Sequence, residues 1–321
     1  MDHQIHFPAI HVSISLPSRQ APAPIAARPT VDVRLVALDI DGTLLDPAGH
    51  VAPRTALAIQ EALERGIHVI LCTGRTFSRD IRRLATELNL SLPAIVRNGS
   101  AVQDCRTGAV LVHRPLPAAA VRVAVDAIAR ASECGVAPSA VSPLVEEGPQ
   151  HEEGLYSLAR ERCHAALFHY IFEWGRTIHL RHVPVLEELY LVRDSGWIGA
   201  CGEREAVRAV YESLRHLEGV SVSWTGELRP GETYHCASIT PTGCTKASAL
   251  AAYAAEHGIA LDEVLAVGDY LNDIEMLAEV GWGVAMGHAP DPVKAVAKAV
   301  VPDNAHHGAA IAIERYVFGR H

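Results

Sequence analysis

Four apolar residues, Leu35 to Leu38, run without a polar break and end at Asp39. A short continuous apolar run of this kind reads as a strand buried on both faces of a parallel sheet, here over 33–39. Helical spacing follows from Ala52 to Arg65, with Leu57, Ile59, Ala62 and Leu63 on its apolar positions and Gly66 as C-terminal cap. A second apolar strand spans 67–72 and stops at Thr73-Gly74-Arg75. Another helix is predicted at about 77–89, and a third strand at 93–96 stops at Asn98-Gly99. Strand–helix alternation of this kind predicts an α/β fold with a doubly wound parallel sheet.

The alternation lapses between about 117 and 235. The pattern there predicts a helix at 117–133, a loop-like stretch around Gly148-Pro149-Gln150 and a helix at 153–173. A strand at 188–193, a helix at 203–217 and an alternating strand at Ser221–Trp224 complete the region. This reads as an inserted domain, 117–235, between core segments 31–116 and 236–321. The βαβ pattern then resumes with a helix at 245–257 capped by Gly258, a strand at 264–269, a helix from Asp273 and a last strand at 282–286.

Composition narrows the function classes. The chain has 321 residues, long enough for a large core or two linked domains. Its net charge of −9 and the lack of a Lys/Arg-rich block argue against nucleic acid or an anionic membrane as partner. No apolar run approaches a membrane span. Seven dispersed cysteines without a CxxC pair fit a reduced, cytoplasmic setting. Residues 1–30, rich in proline and alanine, lack the basic start and apolar core of a secretory signal. They read as a disordered tail or a mis-called start. The oligomeric state is left open.

Candidate chemistry collects at strand ends, where ligands bind in open α/β sheets. Asp39-x-Asp41-Gly42-Thr43 ends the first strand and Thr73 the second; Lys246 opens a helix after the turn Pro241-Thr242-Gly243, and Gly268-Asp269-x-x-Asn272-Asp273 ends a later strand. Taken singly, Thr73 reads as a helix cap, Lys246 as a solvated side chain, and Asp269 and Asp273 as acids favoured by a helix N-terminus. Together they supply several carboxylates, one lysine and one hydroxyl. Burying such carboxylates is costly without a cation, and a hard oxygen-liganded ion such as Mg²⁺ suits them. His306 and His307 read as part of a solvated loop rather than a metal site. Most of His164, His169, His179 and His182, in the inserted region, read as surface or satisfied histidines.

The runs LVALDIDGTLLD, ILCTGR, IVRNGS, ITPTGCTKASAL, VLAVGDYLNDIEML and GWGVAMGHA span about residues 33–289. In this order they resemble the haloacid dehalogenase-like (HAD) phosphohydrolases, and within them the Cof-type phosphatases. The resemblance implies a Rossmann-like core with an inserted α/β cap that sets specificity. It implies an aspartyl-phosphate mechanism with Asp39 as nucleophile, Asp41 as general acid and base, and Lys246 screening charge. Asp39, the Asp41 backbone carbonyl, Asp269 and Asp273 would hold Mg²⁺. Thr43, Thr73, Gly74 and Asn272 would serve the substrate phosphate, and Gly42 would permit the tight turn. The implied substrate is a small phosphorylated metabolite, with sugar phosphates the first expectation and pyridoxal phosphate or a flavin-pathway phosphate as others. A phosphomutase and a non-catalytic phospho-ligand sensor remain alternatives, and a dehalogenase is disfavoured by Asp41 and the 269/273 carboxylates. His288 stands where the family carries asparagine, and Cys244 where a small aliphatic residue is usual. Trp174, Arg176, Arg181 and Trp197 are the cap residues noted as able to meet a leaving group, although ordinary packing or solvation is the preferred reading.

Overall fold

The computed structural model describes residues 32–133, 140–149, 154–158, 163–167, 179–227 and 234–320. The expected N-terminal tail, His169, Trp174, Arg176 and the side chain of His179 lie outside the described residues.

The chain opens with β1 (Leu35–Leu38), α1 (Pro53–Glu64), β2 (His68–Leu71) and α2 (Arg79–Glu87). A small sheet follows, β3 (Ala94–Val96), β4 (Ala101–Gln103) and β5 (Val110–His113), then α3 (Ala118–Glu133). The second sheet is built from β6 (Val141–Glu146), β7 (Gly154–Leu158), β8 (His179–Val183), β9 (Ile198–Glu203), β10 (Val220–Glu227) and β11 (Tyr234–Pro241), with α4 (Arg204–Leu214) between β9 and β10. The chain ends in α5 (Lys246–Glu256), β12 (Val264–Gly268), α6 (Ile274–Glu279), β13 (Trp282–Ala285), α7 (Asp291–Val296), β14 (Ala299–Val300) and α8 (Gly308–Tyr316).

The core sheet runs β14-β13-β12-β1-β2, parallel throughout. Its continuous apolar runs follow from the two-residue period of a strand. Val36 and Leu38 of β1 pack into one cluster with Ile59, Ile81 and Ile313, while Leu35 and Ala37 pack into the other with Leu250, Met276 and Val293. The same split holds for Val69/Ile70 of β2 and Leu265/Ala266 of β12. Helices thus cover both faces, each buried Leu or Ile contributing about 1.5–3 kcal/mol.

The six-stranded sheet runs β10-β11-β9-β6-β7-β8, antiparallel except for the parallel pair β7–β8. It has its own apolar cluster, in which Val125 and Ile128 of α3 and Val207 and Val210 of α4 meet Val141, Val145 and Ile239. Trp197 is buried beside Leu144, Leu155 and Cys201, so it packs the sheet. Arg181 donates to the Tyr156 hydroxyl, and His182 Nδ1 lies 2.6 Å from the Leu158 carbonyl.

Several expectations for this region need correction. The expected helix at 153–173 contains β7, and an unexpected strand, β6, precedes the loop at Gly148-Pro149. Pro143 sits inside β6, where a missing N–H normally argues against a strand. The β6–β7 pairing begins only at Val145, beyond the proline. The expected strand at 188–193 is a 3₁₀ turn, Leu186–Leu191, which buries Leu189. β11 carries the second sheet to Pro241, so the chain returns to the core sheet later than 236. The third expected core strand, β3, pairs antiparallel with β4 and is bridged in parallel to the core sheet at Cys72–Ile95, just beyond β2.

Among the described residues, no helix is long and apolar enough to cross a membrane.

Candidate active site

β1 and β12 are adjacent and parallel, with Leu38 opposite Val267. Their ends bring Asp39 and Asp269 together although more than two hundred residues separate them. β2 lies on the other flank of β1, with Leu38 opposite Leu71, and delivers Thr73. After Asp39 the chain turns sharply at Gly42, whose φ is +76°. A Cβ there would lie 2.3 Å from Asp269 Oδ2, so only glycine fits without displacing that carboxylate.

Lys246 enters from a third direction, as the first residue of α5. Thr245 caps the helix: its hydroxyl oxygen accepts the Ser248 amide, and the Ser248 side chain accepts the Thr245 amide. The start of α5 is pressed onto the 97–99 turn. At Gly99, φ is +95° and a Cβ would lie 2.1 Å from the Thr245 carbonyl. The solvated lysine that the residue suggests in isolation is instead 1% exposed. Its Nζ donates to Asp39 Oδ1 at 2.6 Å and to Asp273 Oδ1 at 2.7 Å.

Asp273 is also fixed from behind, because its Oδ2 accepts the amides of Asp269 at 3.0 Å and Tyr270 at 3.1 Å. Asp269 is held at both oxygens. Thr43 donates to Oδ1 at 2.7 Å, and His288 Nε2 lies 3.3 Å from Oδ2. The expected role of Thr43 is at a substrate phosphate; here its hydroxyl turns to Asp269. Asp41 stands apart from this group, gripped by Arg75 through Nε to Oδ2 at 2.7 Å and Nη2 to Oδ1 at 2.5 Å. Thr73 Oγ1 accepts the Arg75 amide at 3.1 Å. Gly74 lies beside Asn98, whose Oδ1 accepts Asn272 Nδ2 at 2.9 Å. Arg75, Asn98 and a contact from His288 to Asp269 are the features that the sequence reading did not assign. The position of Arg75, directly after Thr73-Gly74 at a strand end, was the available signal.

Asp39, Asp269 and Asp273 each offer an oxygen within 4.8 Å of the others, and all three are buried. No other such cluster of His, Cys, Asp or Glu occurs among the described residues, and His306 is exposed and bonded to Asp303. Burial raises the Asp39 pKa well above its ordinary value; Lys246 offsets this, while Asp273, Asp269 and Asp41 add to the rise. Burial raises that of Asp269 too, with His288 opposing and Asp273 adding. For Lys246, burial opposes the charge, but Asp273 and Asp39 outweigh it and the pKa goes up. Three carboxylates against one ammonium leave uncompensated negative charge, and the all-oxygen donor set fits a hard divalent cation.

A carboxyl with a raised pKa keeps its proton in the folded state where the unfolded chain has lost it. Its stabilising contribution is therefore present below the ordinary value of 3.8 and declines as pH rises above it. A divalent cation should raise the melting temperature more at pH 8 than at pH 5, contributing about 2.7 kcal/mol at a hundredfold excess over its Kd. Melting curves with metal and with chelator across pH check this; an increment that does not vary with pH would contradict it.

The sequence profile of the haloacid dehalogenase-like hydrolases matches residues 36–153 and 205–313. The chain belongs to this family. Among similar HAD proteins is a 5-amino-6-(5-phospho-D-ribitylamino)uracil phosphatase, YcsE of Bacillus subtilis (strain 168), 29% identical over 90% of this chain and 98% of its own length. An HMP-PP phosphatase of Serratia proteamaculans (strain 568) is 29% identical over 82% of this chain and 87% of its own. Pyridoxal phosphate phosphatase YbhA of Escherichia coli (strain K12) is 26% identical over 84% and 94%. The HAD fold recurs in a haloacid dehalogenase-like hydrolase from Bacteroides thetaiotaomicron, with a TM-score of 0.70 at 24% identity, covering 88% of this chain and 99% of that one.

Proposed function

We propose that this HAD hydrolase is a Mg²⁺-dependent phosphatase of small phosphorylated metabolites, working through a phosphoryl group carried on Asp39. The observation that carries the reading is the Lys246 bridge between Asp39 and Asp273, beside Asp269, with Asp41 held separately by Arg75. Asp39 is bonded to Lys246 inside the carboxylate cluster and Asp41 is held by Arg75 outside it, an arrangement that suits a nucleophile and a proton carrier, respectively.

In the first step an Asp39 oxygen would attack phosphorus, the ester P–O bond would break, and the leaving alkoxide would take a proton from Asp41. In the second, water would attack the same phosphorus while Asp41 accepts its proton, releasing phosphate and restoring the Asp39 carboxylate. Lys246 would hold the Asp39 carboxylate in orientation and screen it from the anionic substrate. Arg75 would hold the ionised Asp41 carboxylate in place, and the oxygen that carries the proton would have to leave the guanidinium. Thr73 and the Gly74 amide would meet the phosphoryl oxygens. Asp39, Asp269 and Asp273, with the Asp41 carbonyl, would hold Mg²⁺, which would supply further charge stabilisation when bound.

The relatives named for a ribitylaminouracil phosphate and for pyridoxal phosphate put phosphates of nitrogen heterocycles at the head of a substrate panel, ahead of the sugar phosphates expected from sequence. Phosphate release is expected with Mg²⁺ and not with excess chelator. Release that is unchanged by chelator would overturn the metal assignment, and no release from any compound would overturn the activity.

A further inference from the structure

A carboxylate outside the cluster meets two core segments at once. Glu146, the last residue of β6, is 2% exposed and reaches out of the second sheet. Its Oε1 accepts the Thr76 hydroxyl. Its Oε2 lies 2.6 Å from Nε of Arg97, which is itself 1% exposed and whose Nη2 also reaches the Glu147 carbonyl at 3.5 Å.

Both core partners adjoin site residues. Thr76 follows Arg75, which grips Asp41, and Arg97 precedes Asn98, which holds Asn272. The two segments are laced together, since the Arg97 amide donates to the Arg75 carbonyl at 2.9 Å and the Asn98 amide to the Thr73 carbonyl at 3.1 Å. Arg97 and Asn98 both take φ of +52°, a conformation that side-chain-bearing residues keep only where their surroundings impose it. A buried guanidinium and a buried carboxylate each need the other. The ion pair forms only when the end of β6 is seated on the core; it is a charge contact without an aligned hydrogen bond, since Arg97 Nε and Nη1 and Glu146 Oε2 make none.

We propose that Glu146 is a positioning residue, supplied by the second sheet. It braces the 73–76 strand end and the 97–99 turn, and so sets Arg75–Asp41 and Asn98–Asn272 in register with Asp39. This rests on the phosphatase reading above.

Removing Glu146 strands Arg97 in the interior and risks unfolding, so the test substitutes its other partner. Thr76→Val deletes one hydroxyl and leaves the ion pair. With p-nitrophenyl phosphate and Mg²⁺, assayed well below the variant's melting temperature, kcat should fall about tenfold with KM within about twofold, because small misplacements of catalytic groups are amplified in rate. Thr76→Ser should restore kcat. A Thr76→Val enzyme with wild-type kcat, or one whose loss tracks only a lower melting temperature, would overturn the proposal. Crystals of the same variant give a readout that does not need turnover: the Arg75 guanidinium should shift off Asp41, and an unchanged pair would overturn the proposal even if the wild type hydrolyses nothing. Wild-type inactivity on the whole panel would instead overturn the phosphatase reading.

Discussion

Asp39→Asn is expected to abolish phosphate release, by at least about 10⁴-fold in kcat, while leaving a folded protein that in the absence of metal is at least as stable as the wild type. The loss of rate follows from replacing the attacking oxygen with an amide, since losing the nucleophile of a covalent mechanism removes most of the catalysis at once. The stability follows from electrostatics. Burial, resisted only in part by Lys246, raises the Asp39 pKa, and the neighbouring carboxylates push the same way. Above the ordinary carboxylate range this carboxyl therefore costs the fold free energy, and an amide, which has no proton to lose, relieves it. Lys246 keeps Asp273 at 2.7 Å in the variant. Activity and stability should move in opposite directions, as they do where a site is built for chemistry at the expense of the fold. Phosphate release and urea denaturation with chelator present measure the two quantities. A variant that retains turnover would remove Asp39 from the nucleophile's role, and a less stable one would contradict the electrostatic account.

The core and its carboxylates were legible for a physical reason. A strand covered on both faces must be apolar at consecutive positions, so β1, β2 and β12 announce themselves, and polar residues at their ends mark the sheet's carboxyl edge. The second sheet hid behind a spacing that mimics a helix. Leu155 and Leu158 are three apart, as on a helix face, yet Leu155 packs with Trp197 and Leu158 with Val145, in two different clusters. An odd separation puts two strand residues on opposite faces. Only the partner strands reveal that both faces are covered. Buried arginine is hidden more deeply. Arg75 and Arg97 look like surface residues until Asp41 and Glu146, distant in sequence, come into contact with them. The family resemblance implies a catalytic role for Lys246, but its burial between two aspartates is a tertiary fact.

Lys246→Met is the second large effect, and its stability term carries the opposite sign. Burial alone would drive the proton off Lys246, yet Asp273 and Asp39 reverse the balance and raise its pKa. A lysine with a raised pKa contributes stability that is fully present below the ordinary value of 10.5 and is lost as pH rises through the folded value, so at neutral pH all of it is in force. Methionine keeps most of the side chain's length and leaves Asp39, Asp269 and Asp273 facing one another without the ammonium. Removing one partner of a buried pair costs about 3–5 kcal/mol, and a loss of this order is expected in chelator. A divalent cation should recover more stability in the variant than in the wild type, because it replaces the ammonium that Asp39 and Asp273 have lost. Activity should still fall, by about 10²–10³-fold even with metal saturating, since a preorganised cation at the attacked phosphoryl group is missing. Lys246→Arg should not rescue it: one compact ammonium spans two oxygens at 2.6 and 2.7 Å, and a planar guanidinium does not reproduce that geometry. Denaturation curves with and without metal separate the contributions. A Lys246→Met protein as stable as the wild type in chelator would mean that the carboxylates are not ionised together, and the case for a cation between them would fall with it.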